Sequence, residues 1–460
     1  MSRLKYRNHK NMEQYKVIHL FNRFGFGGTA AELKELSELG FMGQLNREMP
    51  DKLKIDLSEF DGLDPKNLSE SDKRALRKRS REKMTELNFL WLDRMIHSKN
   101  MINEKMTLFW HHHFACIIKN PLYGQQFTNI IRNNATGSFR GLVLEISRSA
   151  AMMNFLHTKQ NKKQHPNEDF ARELCELYTL GRDQEYTEQD VQEIARCFTG
   201  WKYRLDGDPF INYKQHDNGQ KTIFGQTGDF GGEDAIDLIV EKKACARFVC
   251  ENIYKYFINP VVQPDRLEEL TEVFYAANCD IQTLIVHIAD SDWFYAPENI
   301  QAKIKSPIEL MVGLARQFKI ENEDPKKWIL LQRMLDQVLY QPPNVKGWKV
   351  DREWIDSNSL PLRLRLPSII LTNAELNLEM KPDYDANPND GNKQNPFTKK
   401  LGFTYDWDYF FQQNQGMDLN TLFFNDKISP QVAQFLQDRR FASKKEEVIQ
   451  LISLPEYQLI

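Results

Sequence analysis

The chain has 460 residues, of which 41% are hydrophobic and 27% are charged. It can therefore bury a substantial core, and on length alone it is too long for one ordinary domain. Lys and Arg total 61 against 64 Asp and Glu, a formal charge of −3, so no global field favours a polyanion and nucleic acid is not an expected partner.

The first residues are basic, but no apolar run of signal-peptide length follows them. No later stretch approaches the ~20 apolar residues that a membrane span needs. We therefore expect no membrane span and, by default, a cytoplasmic location, although an exported protein given without its leader would look the same. The six cysteines form no CxxC pair, which favours reduced, buried thiols over a zinc site.

Helical patterns begin early in the chain. Few helix breakers and many strong helix formers predict one long helix from Ser69 to His97. The next helix begins near Asn103 and ends on three consecutive histidines, 111 to 113, after the apolar residues Phe109 and Trp110. A third helix is predicted from Phe139.

An acidic helix is predicted next, from Asn167 as its N-cap to Gly181 as its C′ residue. Thr187 and Asp190 have the spacing of a capping box, which predicts the start of another helix that Gly200 ends. These two helices are expected to form a helical hairpin.

Residues 201–234 differ from the rest, since they are rich in Gly, Asp and Asn with short aromatic runs. We expect a long irregular loop here, with room for a short hairpin, and loops of this length are often functional. Helical patterns then resume, and a polar stretch follows Glu375. The prediction is a mainly α fold with a large multi-helix domain at 1–375, loop included, and a polar loop with C-terminal helices packing on it at 376–460.

The histidines are the first candidate for chemistry, because three adjacent imidazoles are rare. His111 and His113 can ligate one metal if they lie at a helix end, but in a regular helix they point about 200° apart. In the acidic helix, Asp169, Glu173 and Glu176 share one face beside an apolar stripe, where carboxylates need a cation, a metal or a proton. The i, i+4 pairs Glu168–Arg172 and Arg172–Glu176 are those of ordinary helix surfaces, and for this helix taken alone they favour a structural role.

Several sequence strings together resemble the bacterial domain-of-unknown-function 1800 family. They include HLFNRFGFGGT, EKMTLFWHHHFA, NEDFARELCELYTLG, YTEQDVQEIARCFTGW, IKSPIEL, PPNVKGWKVDREWI and SLPEYQL. The family pattern W-H-x-H-F implies that His111 and His113 matter more than His112, and Asp169 stands where the family has Asn. The resemblance also implies a partner, a protein of a neighbouring uncharacterised family that resembles sulfatases and phosphatases.

Two functional hypotheses follow. The first is a metal-dependent enzyme, hydrolytic or oxidative, using a divalent ion such as zinc, iron or manganese. The second is a non-enzymatic binding or assembly protein in which the same residues form a structural polar network. The candidate residues of the enzyme are catalytic Glu173, Glu176 and Arg172, substrate-binding Lys221 and Asn167, and metal-binding His111, His113 and His216.

Overall fold

The structure is a computed structural model that describes residues 12–49, 51–60, 68–182, 185–374 and 400–460. These residues form a mainly α fold, as predicted. The first ten helices are α1 (Gln14–Arg23), α2 (Ala30–Leu45), α3 (Glu70–His97), α4 (Met101–His113), α5 (Pro121–Asn134), α6 (Phe139–Arg148), α7 (Ala150–Phe155), α8 (Asp169–Glu173), α9 (Glu188–Cys197) and α10 (Gly232–Val240).

The second half of the chain continues in the same way. Its helices are α11 (Lys243–Phe257), α12 (Pro264–Ala276), α13 (Ile281–Asp290), α14 (Pro307–Phe318), α15 (Pro325–Met334), α16 (Ser359–Leu371), α17 (Trp407–Gln413), α18 (Leu419–Phe424), α19 (Pro430–Asp438) and α20 (Lys444–Ile452). Among the described residues, no helix has both the length and the apolar character needed to cross a membrane.

The region predicted as an irregular loop holds two short antiparallel strand pairs. β1 (Trp201–Tyr203) pairs with β2 (Pro209–Ile211), and β3 (Lys221–Ile223) pairs with β4 (Gln226–Gly228). One short hairpin was expected here, whereas the structure has two.

The acidic segment departs from the predicted helix. α8 is only five residues long, and Leu174–Thr179 continue it as a π-helix. Glu168, not Asn167, occupies the N-cap position, while the Asn167 side chain accepts a hydrogen bond from the Asp169 N–H at 3.2 Å. The regular 3.6-residue spacing that we assumed for the carboxylates therefore ends at Glu173.

The hydrophobic core of the described residues is one continuous cluster that extends from α1 to Tyr457. The part of the chain after residue 400 belongs to it, and it is tied to the rest by two isolated β-bridges, Ile304 with Leu459 and Glu321 with Thr404. The polar loop predicted after Glu375 falls at 375–399, outside the described residues. The division into 1–375 and 376–460 stays a prediction.

α4 lies in the middle of this core. The Asn100 side chain caps its start by accepting from the Asn103 N–H, and every residue of the helix except His112 is buried. Because α4 carries Glu104, Lys105 and three histidines, its burial forces each polar group to find a partner inside the protein. The candidate site is built around this helix.

Candidate functional site

One face of α4 carries Glu104 and His111. Arg132 of α5 donates two hydrogen bonds to Glu104, the shorter 2.7 Å long, and the Trp91 indole donates a third at 3.3 Å. The Tyr340 backbone N–H donates to His111 Nε2 at 3.1 Å. This face of α4 therefore makes buried polar contacts with α3, α5 and the segment that contains Tyr340.

His111 is held as a neutral base. It is fully buried, and burial lowers its pKa to about 3. Because Nε2 accepts a hydrogen bond, the ring proton sits on Nδ1, and Nδ1 has no hydrogen-bond partner among the described residues. Trp91 and Tyr340 pack edge-on against the ring.

The other two histidines have different environments. His113 Nε2–H donates to the Tyr178 carbonyl oxygen at 2.9 Å, and burial lowers the pKa of His113 to about 4. His112 keeps part of its surface exposed and stacks on Trp348, with ring centroids 6.1 Å apart. The contact with Tyr178 brings the end of α4 against the π-helical segment that follows Glu173.

Two of the predicted catalytic residues, Arg172 and Glu176, lie in an ion-pair network. Arg172 donates to Glu188 at 2.7 Å and to Glu168 at 2.9 Å, and its distance to Glu176 is 3.6 Å. Burial and the charge of Glu176 raise the pKa of Glu173. The carboxylate of Glu176 also pairs with Arg182 at 3.2 Å. These contacts give Arg172 and Glu176 their ionic partners.

The predicted loop residues bind within their own segments. His216 Nδ1–H donates to the Thr199 carbonyl oxygen at 2.7 Å. The buried Lys221 donates to the backbone oxygens of Asp217 and Gly219 at 2.7 and 2.9 Å. No hydrogen bond or ion pair among the described residues joins His111, His113 or His216 to Glu173 or Glu176.

The side chains that could bind a metal are dispersed. In the described parts of the chain, no three His, Cys, Asp or Glu side chains come together in a group that could hold a metal ion. The structure therefore brings α4 and the acidic segment into contact through His113 and Tyr178, and it does not group the predicted ligands.

A second polar face of α4 starts from Lys105. Its amine donates to Glu309 of α14 and, at 2.9 Å, to the Gly25 carbonyl oxygen. Lys303 donates to both oxygens of Glu309 at 2.9 and 3.3 Å, and its amine lies 3.9 Å from the Tyr256 ring centroid. Although burial alone would raise it, Lys105 and Lys303 hold the pKa of Glu309 well below its usual range.

These residues belong to a larger group of charged side chains, whose members are given below. We call it the central cation cluster, because its cations outnumber its anions. Burial lowers the pKa of Arg23 to about 9, of Lys303 to about 8 and of Lys305 to about 7. The cations are Arg23, Lys105, Lys303, Lys305 and Arg363, and the acidic side chains are Glu309 and Asp351.

A small cavity opens beside the central cation cluster. Its volume is about 30 Å³, counted as the space in which the centre of a water molecule can lie, and this is room for more than one water molecule. Polar Lys105, Lys305 and Glu309 line it together with Phe26 and Tyr457. The cavity is therefore a basic chamber with aromatic walls.

Comparison with known proteins gives a family. A family model described as "Protein of unknown function (DUF1800)" matches residues 19–459. The chain belongs to this family. Neither a search of curated proteins nor a search of solved structures gave a match.

The DUF1800 chain assembles the central cation cluster from the strings on which its resemblance rested. HLFNRFGFGGT supplies Arg23, EKMTLFWHHHFA supplies Lys105, IKSPIEL supplies Lys305 and Glu309, and SLPEYQL supplies Tyr457. We missed these residues because isolated Lys and Glu look like solvated surface positions. The sequence signal that could have indicated them is their position, since each of these residues lies inside one of the strings that resemble the family.

Proposed function

We propose that this DUF1800 protein binds a small anion in the cavity beside the central cation cluster. The observation that carries the proposal is an excess of cations at one cavity. Lys105 and Lys305 line the cavity, and the buried Arg23, Lys303 and Arg363 belong to the same cluster. The acidic side chains of the cluster are Glu309 and Asp351. Unpaired buried charge is costly, and a bound anion removes that cost.

Unpartnered guanidinium groups support the proposal. Arg23 is buried, and its Nη2 donates to the Asn299 carbonyl oxygen at 2.6 Å. Its Nε and Nη1, together with Nη1 of Arg363, have no hydrogen-bond partner among the described residues. Neither arginine is among the residues that line the cavity, so an anion there would stabilise the two guanidinium groups through its charge.

The size of the cavity sets the ligand class. The cavity is small, so a compact ion suits it better than a nucleotide or a peptide. Sulfate, phosphate and short carboxylates fit this description, because each presents several oxygens on a small frame. We therefore expect one anion per chain.

Titration calorimetry of the full chain with sulfate, phosphate and a short carboxylate, at constant ionic strength, tests the proposal. We expect one of these anions to bind with one-to-one stoichiometry. Lys305→Met removes a charged donor from the cavity wall, so its affinity should fall by about 10- to 100-fold, the equivalent of a charge-assisted hydrogen bond.

Lys326→Met is the matched control, because Lys326 is exposed at the start of α15, and none of the cavity-lining residues belongs to that helix. The control should bind the anion as the unchanged protein does. The proposal is wrong if no anion of the panel binds, or if the two variants lose affinity equally.

For the histidines and carboxylates of the sequence analysis we propose the structural alternative. His111 and His113 each form a hydrogen bond between one ring nitrogen and a backbone group. Arg172 pairs with carboxylates on two elements. The histidine contacts hold α4 against its neighbours, and the Arg172 pairs hold α8 against α9.

The metal-dependent enzyme and the partner from the neighbouring family stay predictions. Stoichiometric zinc, iron or manganese in protein purified without a chelating tag, lost in the double variant His111→Ala, Glu173→Ala, would establish the metal site. A folded protein that purifies metal-free under those conditions would exclude it.

A further inference from the structure

The β1–β2 hairpin presents apolar side chains to solvent. Leu205 in its turn is 64% exposed, and Phe210, Ile211 and Tyr213 are exposed as well. Single apolar side chains on a protein surface need no explanation, but these four lie on one hairpin and the residues directly after it. This concentration indicates a surface that contacts something other than water.

The turn of the hairpin is fixed on α5, so these side chains are held in place. The Tyr123 hydroxyl donates to the Leu205 carbonyl oxygen at 3.3 Å, and Gln126 Nε2 donates to the Asp206 carbonyl oxygen at 2.8 Å. A Cβ atom at Gly207 would overlap the Gln126 side chain, so the turn lies directly against α5. A ligand of the hairpin therefore meets an ordered surface, and little conformational entropy is lost on binding.

The segment 157–166 lies beside the hairpin and carries positive charge. The Lys163 N–H donates to the Gln215 carbonyl oxygen at 2.9 Å, and the Gly200 N–H donates to the Asn161 carbonyl oxygen at 3.0 Å. These bonds join the segment to both ends of the hairpin. The exposed cations of the two segments are Lys159, Lys162, Lys163, Arg204 and Lys214.

Neighbouring carboxylates do not neutralise these cations. Among the described residues, none of the five forms an ion pair with Asp or Glu. The half-buried Lys202 of β1 donates to the Lys159 carbonyl oxygen, and burial, together with the charges of Lys162 and Lys159, lowers the pKa of Lys202. The acidic residues of the hairpin are Asp206 and Asp208, so positive charge is in excess. We call the four exposed apolar side chains and the five exposed cations the hairpin surface.

The free edge of β2 does not favour the addition of a partner strand. Pro209 is the first residue of β2 and has no N–H group to donate to such a strand. Lys202 lies opposite Phe210 in the strand pair, and the Arg204 guanidinium carbon lies 5.2 Å from the Phe210 ring centroid. A ligand of this surface is therefore bound through side chains, and cations and apolar groups contact it together.

We propose that the hairpin surface binds the headgroup region of an anionic phospholipid bilayer. Binding to such an interface combines two contributions, apolar side chains that enter it and cations that attract the anionic lipids. Leu205 and Phe210 supply the first, and Lys162 and Lys163 supply the second. The anion site beside the central cation cluster uses none of these residues, so the two proposals are independent.

Cosedimentation of the full chain with lipid vesicles tests the inference. We expect the protein to bind vesicles made of equal parts of phosphatidylglycerol and phosphatidylcholine, and to bind vesicles of phosphatidylcholine alone at least ~10-fold more weakly. Because the cations are exposed, binding to the anionic vesicles should weaken as the salt concentration rises.

Two variants separate the two contributions. Leu205→Ser removes an apolar group from the interface, so the affinity for the anionic vesicles should fall about 10-fold. The double variant Lys162→Gln, Lys163→Gln removes two charges and should lower it about 10- to 30-fold. Neither lysine side chain forms a hydrogen bond or an ion pair among the described residues, so the double variant should fold as the unchanged protein does.

Matched controls lie elsewhere on the surface. Val261→Ser removes an apolar side chain that is 74% exposed between α11 and α12. The double variant Lys34→Gln, Lys326→Gln removes two exposed lysines, one from α2 and one from α15. Both controls should bind the anionic vesicles as the unchanged protein does. Lys305→Met should do the same, because Lys305 lines the anion cavity and does not belong to the hairpin surface.

The inference is overturned if the anionic vesicles are not bound, or if the controls lose as much affinity as the hairpin variants. A loss in Lys305→Met alone would place the lipid headgroup in the cavity and would also overturn it. If the protein binds immobilised poly-glutamate and not the vesicles, the hairpin surface takes an acidic polypeptide and the lipid assignment is wrong. Calorimetry with sulfate or phosphate should be unchanged in the hairpin variants, so failure of one proposal leaves the other standing.

Discussion

At the scale of single residues, the main feature is a carboxylate buried among cations. Glu309 accepts hydrogen bonds from two ammonium groups and from the Ser306 N–H at 2.6 Å. It also closes the capping box that starts α14. Because this one carboxylate is the acidic partner that Lys105 and Lys303 share, its removal leaves both buried ammonium groups without an ion pair.

We predict that Glu309→Gln lowers the free energy of unfolding by about 3–5 kcal/mol at pH 7, the cost of breaking a buried ion pair on one side. The folded-state pKa of Glu309 is depressed, so its contribution is complete above the ordinary pKa of 4.5 and is lost as pH falls below it. Urea unfolding from pH 7 to pH 3 measures both effects.

Glu35→Gln is the control for this prediction. Glu35 pairs with Arg47 at the surface, where its side chain is 58% exposed, so we expect a change within about 0.5 kcal/mol. A loss of similar size in both variants, or a Glu309→Gln loss that does not shrink in acid, would contradict the assigned role.

At the scale of elements, α4 is held on one side by the segment around residues 340–350. Trp348 stacks on His112, and Gly347 adopts a φ of +91°. A Cβ atom at Gly347 would lie 2.8 Å from the His112 carbonyl oxygen, closer than such atoms approach. This close approach requires glycine for two reasons, the positive φ and the lack of space.

For this reason we expect Gly347→Ala to lower the stability more than Gly402→Ala does. Gly402 also has a positive φ, +70°, but a Cβ there would meet nothing within 4 Å. We expect about 1 kcal/mol of destabilisation from the backbone at Gly402 and about 3 kcal/mol at Gly347, where overpacking adds to it. Urea unfolding of the two variants measures the difference, and equal losses would show that the contact with His112 yields freely.

Local signals account for the elements that the sequence could predict. Ser69 caps α3, which ends at His97 as expected, and the capping box of Thr187 and Asp190 starts α9. Gly181 and Gly200 have positive φ values at the predicted ends. Such features depend on neighbours three or four residues away, which the sequence displays directly.

The candidate site could not be predicted in the same way. Glu104 and Lys105 are adjacent in a helix whose opposite faces are both buried, and each finds its partner on another element. Hydrophobic periodicity predicts one buried face and assigns charged residues to solvent. The π-helix after Glu173 was missed for a similar reason, because its i, i+5 bonds, such as Leu180 N–H to Cys175 oxygen, leave no mark in the residue pattern.

At the scale of the whole molecule, the described residues share one core, and all six cysteines are buried in it as free thiols. The burial of all six agrees with the expectation of buried thiols. Burial raises the pKa of each of them. A thiolate is the reactive form, so the native protein should protect all six.

Thiol labelling therefore reports on global opening. We predict that fewer than one of the six thiols per chain reacts with a disulfide reagent under native conditions, and that six react in guanidinium. The six should become reactive together as denaturant rises, because one core opens as a unit. Early labelling of Cys116 or Cys279 alone would show instead that part of the core opens by itself.

The pairing of Lys105 with Glu309 also sets an order on folding in the cell. The two residues are 204 positions apart, so a ribosome adding roughly 5–20 residues per second needs about 10–40 s to supply the partner. During this interval the nascent chain holds α4 with Lys105 unneutralised, and the helix cannot be enclosed at low cost. The amino-terminal third of this protein therefore completes its packing around α4 only after Glu309 has been translated.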